Sequence, residues 1–415
     1  MLGNLWDRLQ NGVMMKILIF VGVIFAVLTL MKAYVYMRFM RHSAMINKWL
    51  GLGFLVLLAT GEILLFVVRD SHFAHWQYLL VGSCVVLGYS LFLACLCVDM
   101  FRICAFLATK YQRRHSKHIS RTASLNESVE STDAKAIASR RVFLRKIIDW
   151  SVATLFAYFS FKSLTNALSV PHIKEVYLKV PHLRRKMSIA MISDVHIGKT
   201  LGREFLEKVV ARINALNVDI VVIVGDLVDD KIHLIKDDLE PLKDLQSVEG
   251  VYYVSGNHEY YHSIEPILAH LKTLNLRILN NTNTELENVN LVGVSDIAGE
   301  QFKLFPPDLN AAKQGINADK PSILLAHQPK FVRQNDVSEF DIVLCGHTHG
   351  GQVFPLSLLV WLDQHYIHGL YTLPNPKRTQ LYVSSGVGFW GPAIRFLAPS
   401  EIVHLVLEGI NSKNA

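Results

Sequence analysis

Cysteine is scarce in this chain, with 5 residues in 415. Four of them (Cys84, Cys95, Cys97 and Cys104) lie in or beside one apolar segment, and Cys345 alone lies in the later part of the chain. A lone cysteine excludes a disulfide within that part, so the redox compartment stays undefined. Cys345 is either a neighbour of a metal site or, as we favour, a small buried apolar residue.

Acidic residues are outnumbered by basic ones, 35 against 42, which gives a net charge of +7 and a pI near 9.0. A basic balance is one signature of nucleic-acid binding. Here many basic residues crowd the connections between apolar segments, where membrane topology explains them. We therefore expect no nucleic acid among the partners.

Apolar residues are abundant, at 51% of the chain with a mean hydropathy of +0.27, and the excess lies in the first part. A membrane-spanning helix needs roughly 20 apolar residues. The sequence predicts such helices at residues 13–37, 49–68 and 77–100, and a more polar fourth one at 147–169. A signal peptide is the alternative for the first, but its length and the apolar segments that follow favour a retained helix.

These segments predict an all-α transmembrane region of about four helices over residues 1–170, with membrane lipids as partners. Residues 115–139 are rich in Ser, Thr, Glu, Lys and Ala, and this composition predicts a disordered basic loop. Lys and Arg stay preferentially on the cytoplasmic side. With four helices, the two basic connections share that side, and the domain after residue 170 is extracytoplasmic. A miscount of one helix would reverse the prediction.

Two ionisable residues interrupt the predicted helices at similar depth, Glu62 in the second and Lys162 in the fourth. Charged groups within a bilayer are costly and are usually paired or functional. Glu62 and Lys162 either pair across the two helices or extend separately to a nearby interface.

The pattern changes at residue 171, where short apolar runs bounded by turns begin to alternate with helical segments. Residues 171–415 are therefore predicted to form an α/β domain in which two mixed sheets face each other with helices outside. The predicted strands are 173–180, 187–192, 219–224, 250–254, 277–279, 289–294, 322–326, 341–344, 381–385 and 402–407; the predicted helices lie near 204–216, 239–245 and 264–274.

Five of the predicted strands are followed by residues of the types that can bind metal ions. The clusters are Asp194-Val195-His196, Gly225-Asp226-Leu227-Val228-Asp229, Gly256-Asn257-His258-Glu259, Ala326-His327 and Gly346-His347-Thr348-His349. Ligands at the carboxyl ends of strands converge in one crevice. Carboxylate, imidazole and amide oxygen suit Mn, Fe, Zn or Mg, and two such ions clamp a phosphoryl group. Asp226, central in order, is the best candidate for a bridging carboxylate.

These clusters, in this order, resemble the motifs D-x-H, G-D-x-x-D, G-N-H-E, H and G-H-x-H of the calcineurin-like metallophosphoesterases. Residues 326–329, 346–352 and 388–392 resemble the membrane-linked bacterial branch of that family. The resemblance covers residues 187–408. It implies a four-layer α/β/β/α sandwich and a metal-dependent hydrolase of phosphoester or phosphoanhydride bonds.

The resemblance also implies roles for individual residues. Asp194, His196 and His349 would hold one divalent metal ion; Asn257, His327 and His347 would hold a second; and Asp226 would bridge the two. A metal-bridging hydroxide would attack phosphorus. His258 would protonate the leaving oxygen, and Asp229 would orient His258. Manganese is the expected metal, with iron, zinc and magnesium as alternatives.

One departure from the family concerns phosphate recognition. Protein Ser/Thr phosphatases of the family carry Arg at the positions of Asp230 and Tyr261, which argues against that activity here. Arg395 is our candidate phosphate contact, with a structural salt bridge as the alternative. The apolar, aromatic stretch from Phe354 to Tyr371 would contact the bilayer or a lipid tail if exposed, and would be ordinary core if buried.

The sequence therefore predicts a multi-pass, membrane-anchored, dinuclear-metal phosphohydrolase acting on a phosphorylated small molecule or lipid, such as a lipid-linked or nucleotide-linked phosphate. The alternative is a non-catalytic membrane sensor or transporter-like protein whose soluble domain binds phosphoryl ligands. The complete set of metal-binding residues favours the enzyme. A nuclease would need a basic groove, and the oligomeric state is open.

Overall fold

The computed structural model describes residues 13–67, 75–116 and 133–410. The chain divides into two compact units. The helical unit comprises residues up to 72 together with 80–162, and the α/β unit comprises residues 73–79 together with 163–415. The domain boundary predicted at residue 170 stays a prediction.

Four long helices form the first part of the chain: α1 (Val13–Arg38), α2 (Lys48–Val67), α3 (His75–Ser116) and α4 (Asp133–Leu168), with a short 3₁₀ helix at Met40–His42. Among the described residues, three stretches are long and apolar enough to cross a membrane: Val21–His42, Lys48–Val67 and His75–Gln112. The predicted fourth span is helical within α4 but is not among them. Its Asp149, Lys162 and hydroxyl side chains lower its hydropathy.

The predicted loop at residues 115–139 is shorter in the structure. Helix α3 continues to Ser116, and helix α4 already begins at Asp133. Residues 117–132 lie outside the described residues. The polar ends of both helices are rich in Arg and Lys. A high density of charge is typical of loops, but both residues also have good helix propensity, so the helices extend into the predicted loop.

Buried carboxylates in the helical unit have donors beside them. Glu62 pairs with Lys32 on α1, so its partner is not the predicted Lys162. Asp99 accepts hydrogen bonds from Tyr34 Oη at 2.8 Å and Arg38 Nε at 2.7 Å. Asp149 accepts from Ser43 Oγ and from the backbone N–H groups of residues 44 and 45, at 2.8–3.1 Å. These contacts join the helices within the unit.

Two six-stranded sheets form the α/β unit. The first has the order β1-β12-β2-β3-β4-β5 and the second the order β10-β11-β9-β8-β7-β6. The strands are β1 (His172–Val180), β2 (Met187–Ile192), β3 (Ile220–Val224), β4 (Val251–Val254), β5 (Arg277–Ile278), β6 (Thr282–Glu285), β7 (Asn290–Gly293), β8 (Ser322–Leu325), β9 (Ile342–Cys345), β10 (Gly369–Thr372), β11 (Gln380–Val383) and β12 (Glu401–Gly409).

Shorter helices connect these strands. They are α5 (Arg203–Asn214), α6 (Ile232–Ile235), α7 (Asn257–Tyr261), α8 (Ile264–Thr273), α9 (Ala298–Phe302), α10 (Leu309–Ala312), α11 (Lys330–Gln334) and α12 (Leu356–Gln364), with 3₁₀ helices at Lys236–Asp244 and His349–Gly351. The segment predicted as a helix near 239–245 is thus 3₁₀ rather than α, because Pro241 lies inside it.

Apolar side chains alternate between the two faces of each sheet, which produces the predicted four layers. On β2, Ile189 and Met191 pack between the sheets, whereas Ile192 packs against α5 and α8. The outer face of the second sheet packs against Phe331 of α11. The α/β/β/α sandwich is confirmed. Strands β6 and β10 were not predicted, because β6 is wholly polar, β10 is only half apolar, and both are partly exposed.

Candidate metal centre

The predicted metal-binding clusters all follow strands that run parallel to one another within their sheets. Strands β2, β3 and β4 are adjacent in the first sheet, and β8 and β9 are adjacent in the second. Their carboxyl ends therefore lie at one edge of the sandwich. The side chains that the sequence predicted as ligands meet there, although they span residues 194–349.

One group consists of Asp194, His196 and His349, whose candidate ligand atoms lie within 4.8 Å of one another. The two Nε2 atoms of the histidines are 3.0 Å apart, and Asp194 Oδ1 is 3.5 Å from His349 Nε2. All three residues are buried. One carboxylate oxygen and two ring nitrogens thus lie close together.

A second group consists of Asp226, His327 and His347. Asp226 Oδ2 is 3.2 Å from His327 Nε2 and 3.9 Å from His196 Nε2, so this carboxylate lies between the two groups. His327 Nδ1 is 2.8 Å from Val224 O, and its N–H donates to that carbonyl. The hydrogen bond orients the ring and leaves Nε2 as the free lone pair, which is the usual arrangement of a metal-binding histidine.

The buried atoms at this edge that have no hydrogen-bond partner among the described residues include Asn257 Oδ1 and His327 Nε2. Most buried polar atoms are hydrogen-bonded, so an orphaned acceptor needs an explanation. Both atoms are lone-pair donors of the kind that binds a hard or borderline divalent cation. The residues present therefore fit the metal ions that the motifs imply.

The backbone at the site is strained. Five predicted ligands adopt positive φ angles: Asp194 (53°), His196 (52°), Asp226 (50°), His347 (70°) and His349 (51°). Such angles are uncommon for residues other than glycine and persist only where the surrounding structure enforces them. The tight turns aim successive side chains into the same crevice, which a regular strand cannot do.

Two glycines allow the ligand loops to approach each other. A Cβ atom at Gly256 would lie 2.2 Å from Asp226 Oδ1, and one at Gly346 would lie 2.5 Å from Asp194 Oδ2. Any side chain at either position would displace a ligand carboxylate. The glycines in the G-N-H-E and G-H-x-H motifs are thus required by packing at the site.

Glu259 has a structural role that the sequence did not reveal. Its carboxylate is fully buried and accepts hydrogen bonds from the N–H groups of Asp226, Leu227 and Gly256 at 3.1, 2.8 and 2.6 Å. It therefore fixes the loop after β3 against the loop after β4. In the sequence, Glu259 is marked only as the glutamate of the G-N-H-E motif, and the motif itself does not indicate this role.

Burial shifts the pKa of three ligand residues, whereas at His327 the carboxylate of Asp226 outweighs burial and raises the pKa. Burial lowers the pKa of His196 and of His347 to about 3 and raises the pKa of Asp194 above its usual range. Two neutral imidazoles, each with a free lone pair, result at neutral pH. Neutral imidazole is the form in which histidine binds metals.

His258 lies beside the ligands and forms a pair with Asp229. Its Nδ1 is 2.7 Å from Asp229 Oδ1, and its backbone N–H donates to Asp226 Oδ1 at 2.8 Å. Burial alone would lower the pKa of His258, but the carboxylates of Asp226 and Asp229 raise it to about 9. His262 Nε2 is 3.5 Å from the same Asp229 oxygen.

Arg395 is fully buried beside the first group. Its Nη2 lies 3.0 Å from His349 Nδ1 and donates to Ser385 O at 2.8 Å, and its Nε donates to Gly388 O at 2.8 Å. The Nη1 group donates to His349 O and Ala398 O. This geometry favours a role in orienting His349 over the predicted contact with phosphate.

The remaining residues singled out by the sequence lie close by. The side chain of Tyr261 is half exposed, and its ring centroid lies 5.2 Å from that of His258. Asp230 is buried and caps the N–H of Lys231. Cys345 is a free cysteine buried in the core of the second sheet, which confirms that it is an apolar filler.

Comparison with known proteins agrees with this arrangement. The sequence model of the calcineurin-like phosphoesterase family matches residues 187–351. An uncharacterized metallophosphoesterase of Campylobacter jejuni is 36% identical over 95% of this chain and 100% of its own length. A transmembrane protein with a metallophosphoesterase domain, from Danio rerio, is 31% identical over 86% of this chain and 79% of its own.

A more distant relative is a UDP-2,3-diacylglucosamine pyrophosphatase of Chlamydia trachomatis, 26% identical over 54% of this chain and 84% of its own length. The apolar helices and the transmembrane relative indicate that the protein is membrane-associated. Identity across nearly the whole chain, together with the shared motifs, shows that the protein belongs to the calcineurin-like metallophosphoesterase family and is a metal-dependent phosphoester hydrolase.

Proposed function

We propose that this protein is a membrane-anchored phosphohydrolase with two divalent metal ions. Asp194, His196 and His349 would hold one ion, and Asn257, His327 and His347 would hold the other. The position of Asp226 carries the proposal, since its carboxylate lies between the two histidine groups and can neutralise a pair of cations that repel each other.

When bound, such ions supply positive charge to the phosphoryl oxygens and lower the pKa of an attacking water, with manganese as our first choice. His258 donates a proton to the leaving oxygen. Asp229 holds the ring of His258 by accepting its Nδ1–H at 2.7 Å, which leaves Nε2 to face the substrate. Arg395 positions His349 from behind, since its guanidinium donates to the His349 carbonyl oxygen and lies against the ring.

The substrate that we propose is an amphiphilic phosphoester or pyrophosphate, lipid-linked or nucleotide-linked. The Chlamydia relative is named as a pyrophosphatase of UDP-2,3-diacylglucosamine. Tyr261 borders the site, and an aromatic ring there favours a substrate that carries an apolar or stacking group next to its phosphate.

We further propose that α4 crosses the membrane as a fourth helix. Asp149 binds the connection between α1 and α2 through Ser43, and Asp99 of α3 binds Arg38 at the end of α1. Both residues therefore mark the basic side of the helical unit. The twenty residues of α4 from Asp149 span roughly 30 Å, enough to cross the hydrocarbon core.

The basic residues of this region support the orientation that we propose for the catalytic domain. Arg38, Arg41 and Lys48 lie between the apolar parts of α1 and α2, and many Arg and Lys residues lie between the apolar parts of α3 and α4. Because basic connections stay in the cytoplasm, a fourth crossing by α4 supports an extracytoplasmic catalytic domain. A carboxyl-terminal alkaline phosphatase fusion should be active, and a silent one would refute the orientation.

The test of the catalytic proposal is turnover of bis-p-nitrophenyl phosphate by the purified full chain, with each divalent metal in turn. We expect turnover with Mn²⁺ and two bound ions per chain. The Asp226→Asn variant should lose the turnover and bind fewer than two ions. Asp230→Asn is the matched control, an acid-to-amide change in the same loop that should keep both ions. Full turnover and both ions in Asp226→Asn would refute the proposal.

A further inference from the structure

Helix α12 buries a polar side chain and exposes apolar ones, which is the reverse of an ordinary surface helix. Its one buried side chain among Leu356–Gln364 is polar, Gln364, whereas its leucines point outward. Leu359 and Leu362 are 62% and 67% exposed, and Trp361 is 46% exposed. A surface helix normally buries its apolar side and exposes its polar one. Of the two alternatives for the apolar stretch that begins at Phe354, its helical part is thus an exposed apolar surface and not ordinary core.

Both ends of α12 are fixed to the ligand loops of the metal centre. At its start, Gly351 follows His349 by two residues, and a Cβ on Gly351 would lie 2.4 Å from Ser357 Cβ. At its end, Gln364 accepts from the N–H of Lys330 at 3.0 Å and donates to Gln328, the neighbour of His327, at 3.3 Å. The outward direction of the leucines is thus imposed by polar contacts beneath the helix.

A second loop extends the same apolar surface. Gln352 Nε2 donates to Trp390 O at 3.0 Å, and Val353 forms a bridge with Phe396. This loop exposes Trp390 (41%) and Leu397 (73%). We call the exposed side chains of both segments the apolar rim: Phe354, Leu356, Leu358, Leu359, Trp361, Leu362, Trp390 and Leu397.

We propose that the apolar rim docks onto the surface of the bilayer in which the same chain is anchored. In the described part of the chain, three helices are apolar enough to cross a membrane, so a lipid surface is a permanent neighbour. Residues 354–362 contain no ionisable side chain, and the single acid that follows, Asp363, is neutralised by Lys330 at 2.7 Å. Leucines for the acyl boundary and tryptophans for the headgroup level are the composition of interfacial segments.

Docking has a consequence for the substrate that rests on the proposed function. Because the rim is attached directly to the loops of His327 and His349, it would hold the metal centre at the level of lipid headgroups. A phosphoryl group in an amphiphile could then enter without leaving the membrane. The site would select bilayer-resident phosphoesters by position, in addition to any recognition of the phosphate itself.

The test is photocrosslinking of the full chain in nanodiscs of phosphatidylethanolamine and phosphatidylglycerol, with p-benzoylphenylalanine in place of Leu359. The control position is Val248, which is 76% exposed and precedes β4 at the opposite edge of the sheet. We expect lipid adducts at position 359 to exceed those at 248 by about tenfold or more. Position 362 is a second site if the first variant does not fold.

Three results would overturn the inference: crosslinks to a second copy of the chain, crosslinks to residues 13–162 of the same chain, or lipid adducts no more frequent than at position 248. Turnover of bis-p-nitrophenyl phosphate is measured in the same nanodiscs. Lipid adducts without turnover would keep the docking and refute the proposed function. Turnover without lipid adducts would keep the proposed function and refute the docking.

Discussion

The buried carboxylates of the metal centre differ in their partners from those of the helical unit. In the helical unit they face cations and hydrogen-bond donors, as Glu62 faces Lys32 and Asp99 faces Arg38. In the α/β unit, Asp194 and Asp226 face imidazole rings, and the acceptors of Asn257 and His327 have no partner. A charge cluster satisfied within the chain serves stability, and one that lacks cations is suited to bind them from solution.

The largest effect that would sharpen this contrast is expected for Asn257→Ala, which removes one orphaned acceptor. We expect turnover to fall about 1000-fold and one metal ion to be lost, because the second site would keep too few ligands. The measurement is turnover with metal content by mass spectrometry.

Asn288→Ala is the matched control. Asn288 is also buried with an unpartnered amide nitrogen, but it lies between β6 and β7, away from the ligand loops. Its replacement should leave turnover and metal content unchanged. Equal loss in both variants would mean that unsatisfied amides in this unit do not report metal binding.

In the helical unit, the next largest effect is expected for the Lys32–Glu62 pair. Lys32→Met alone leaves a buried carboxylate without its cation and should cost about 3 kcal/mol of unfolding free energy. The double variant Lys32→Met, Glu62→Met should recover most of that loss. SDS-induced unfolding in mixed micelles provides the measurement.

Lys162→Met separates the observed pair from the one that the sequence suggested. If the loss and the rescue with Glu62→Met followed Lys162 instead of Lys32, the pairing described here would be wrong. Turnover should change little in any of these variants, since the pair does not touch the ligand loops.

A smaller effect is expected for Asp229→Asn, which tests the hydrogen bond to His258. Turnover of a substrate with an alkyl leaving group should fall about 100-fold, because that oxygen needs a proton as it leaves. Turnover of bis-p-nitrophenyl phosphate, whose leaving group is a weak base, should fall much less. Equal losses with both substrates would indicate a purely structural role for Asp229.

Much of the catalytic half could be predicted from the sequence because its strands are short apolar runs that end in polar ligands. The clusters at Asp194 and His347 are examples, since a buried strand directly precedes each one. The convergence then follows from parallel strands alone. The positive φ angles of these residues had no signal in the sequence, because no glycine marks the positions themselves.

Contacts between distant side chains were harder to predict. Matching depth suggested Lys162 as the partner of Glu62, but depth along a helix does not specify which face a side chain occupies. The orientation of α12 was open for the same reason. Its composition is that of a core helix, and only the contacts of Gln364 and Gly351 show that its leucines point outward.

Arg395 carries the smallest expected effect and separates two roles that a sequence cannot. If it positions His349, Arg395→Lys should raise the Mn²⁺ concentration needed for half-maximal turnover about tenfold, with an unchanged KM at saturating metal. If it grips phosphate, KM should rise while the metal requirement stays the same, because lysine lacks the bidentate geometry. Titration of metal and substrate in one experiment distinguishes these results. The buried guanidinium and its contacts with the carbonyl oxygen and the ring of His349 favour the first.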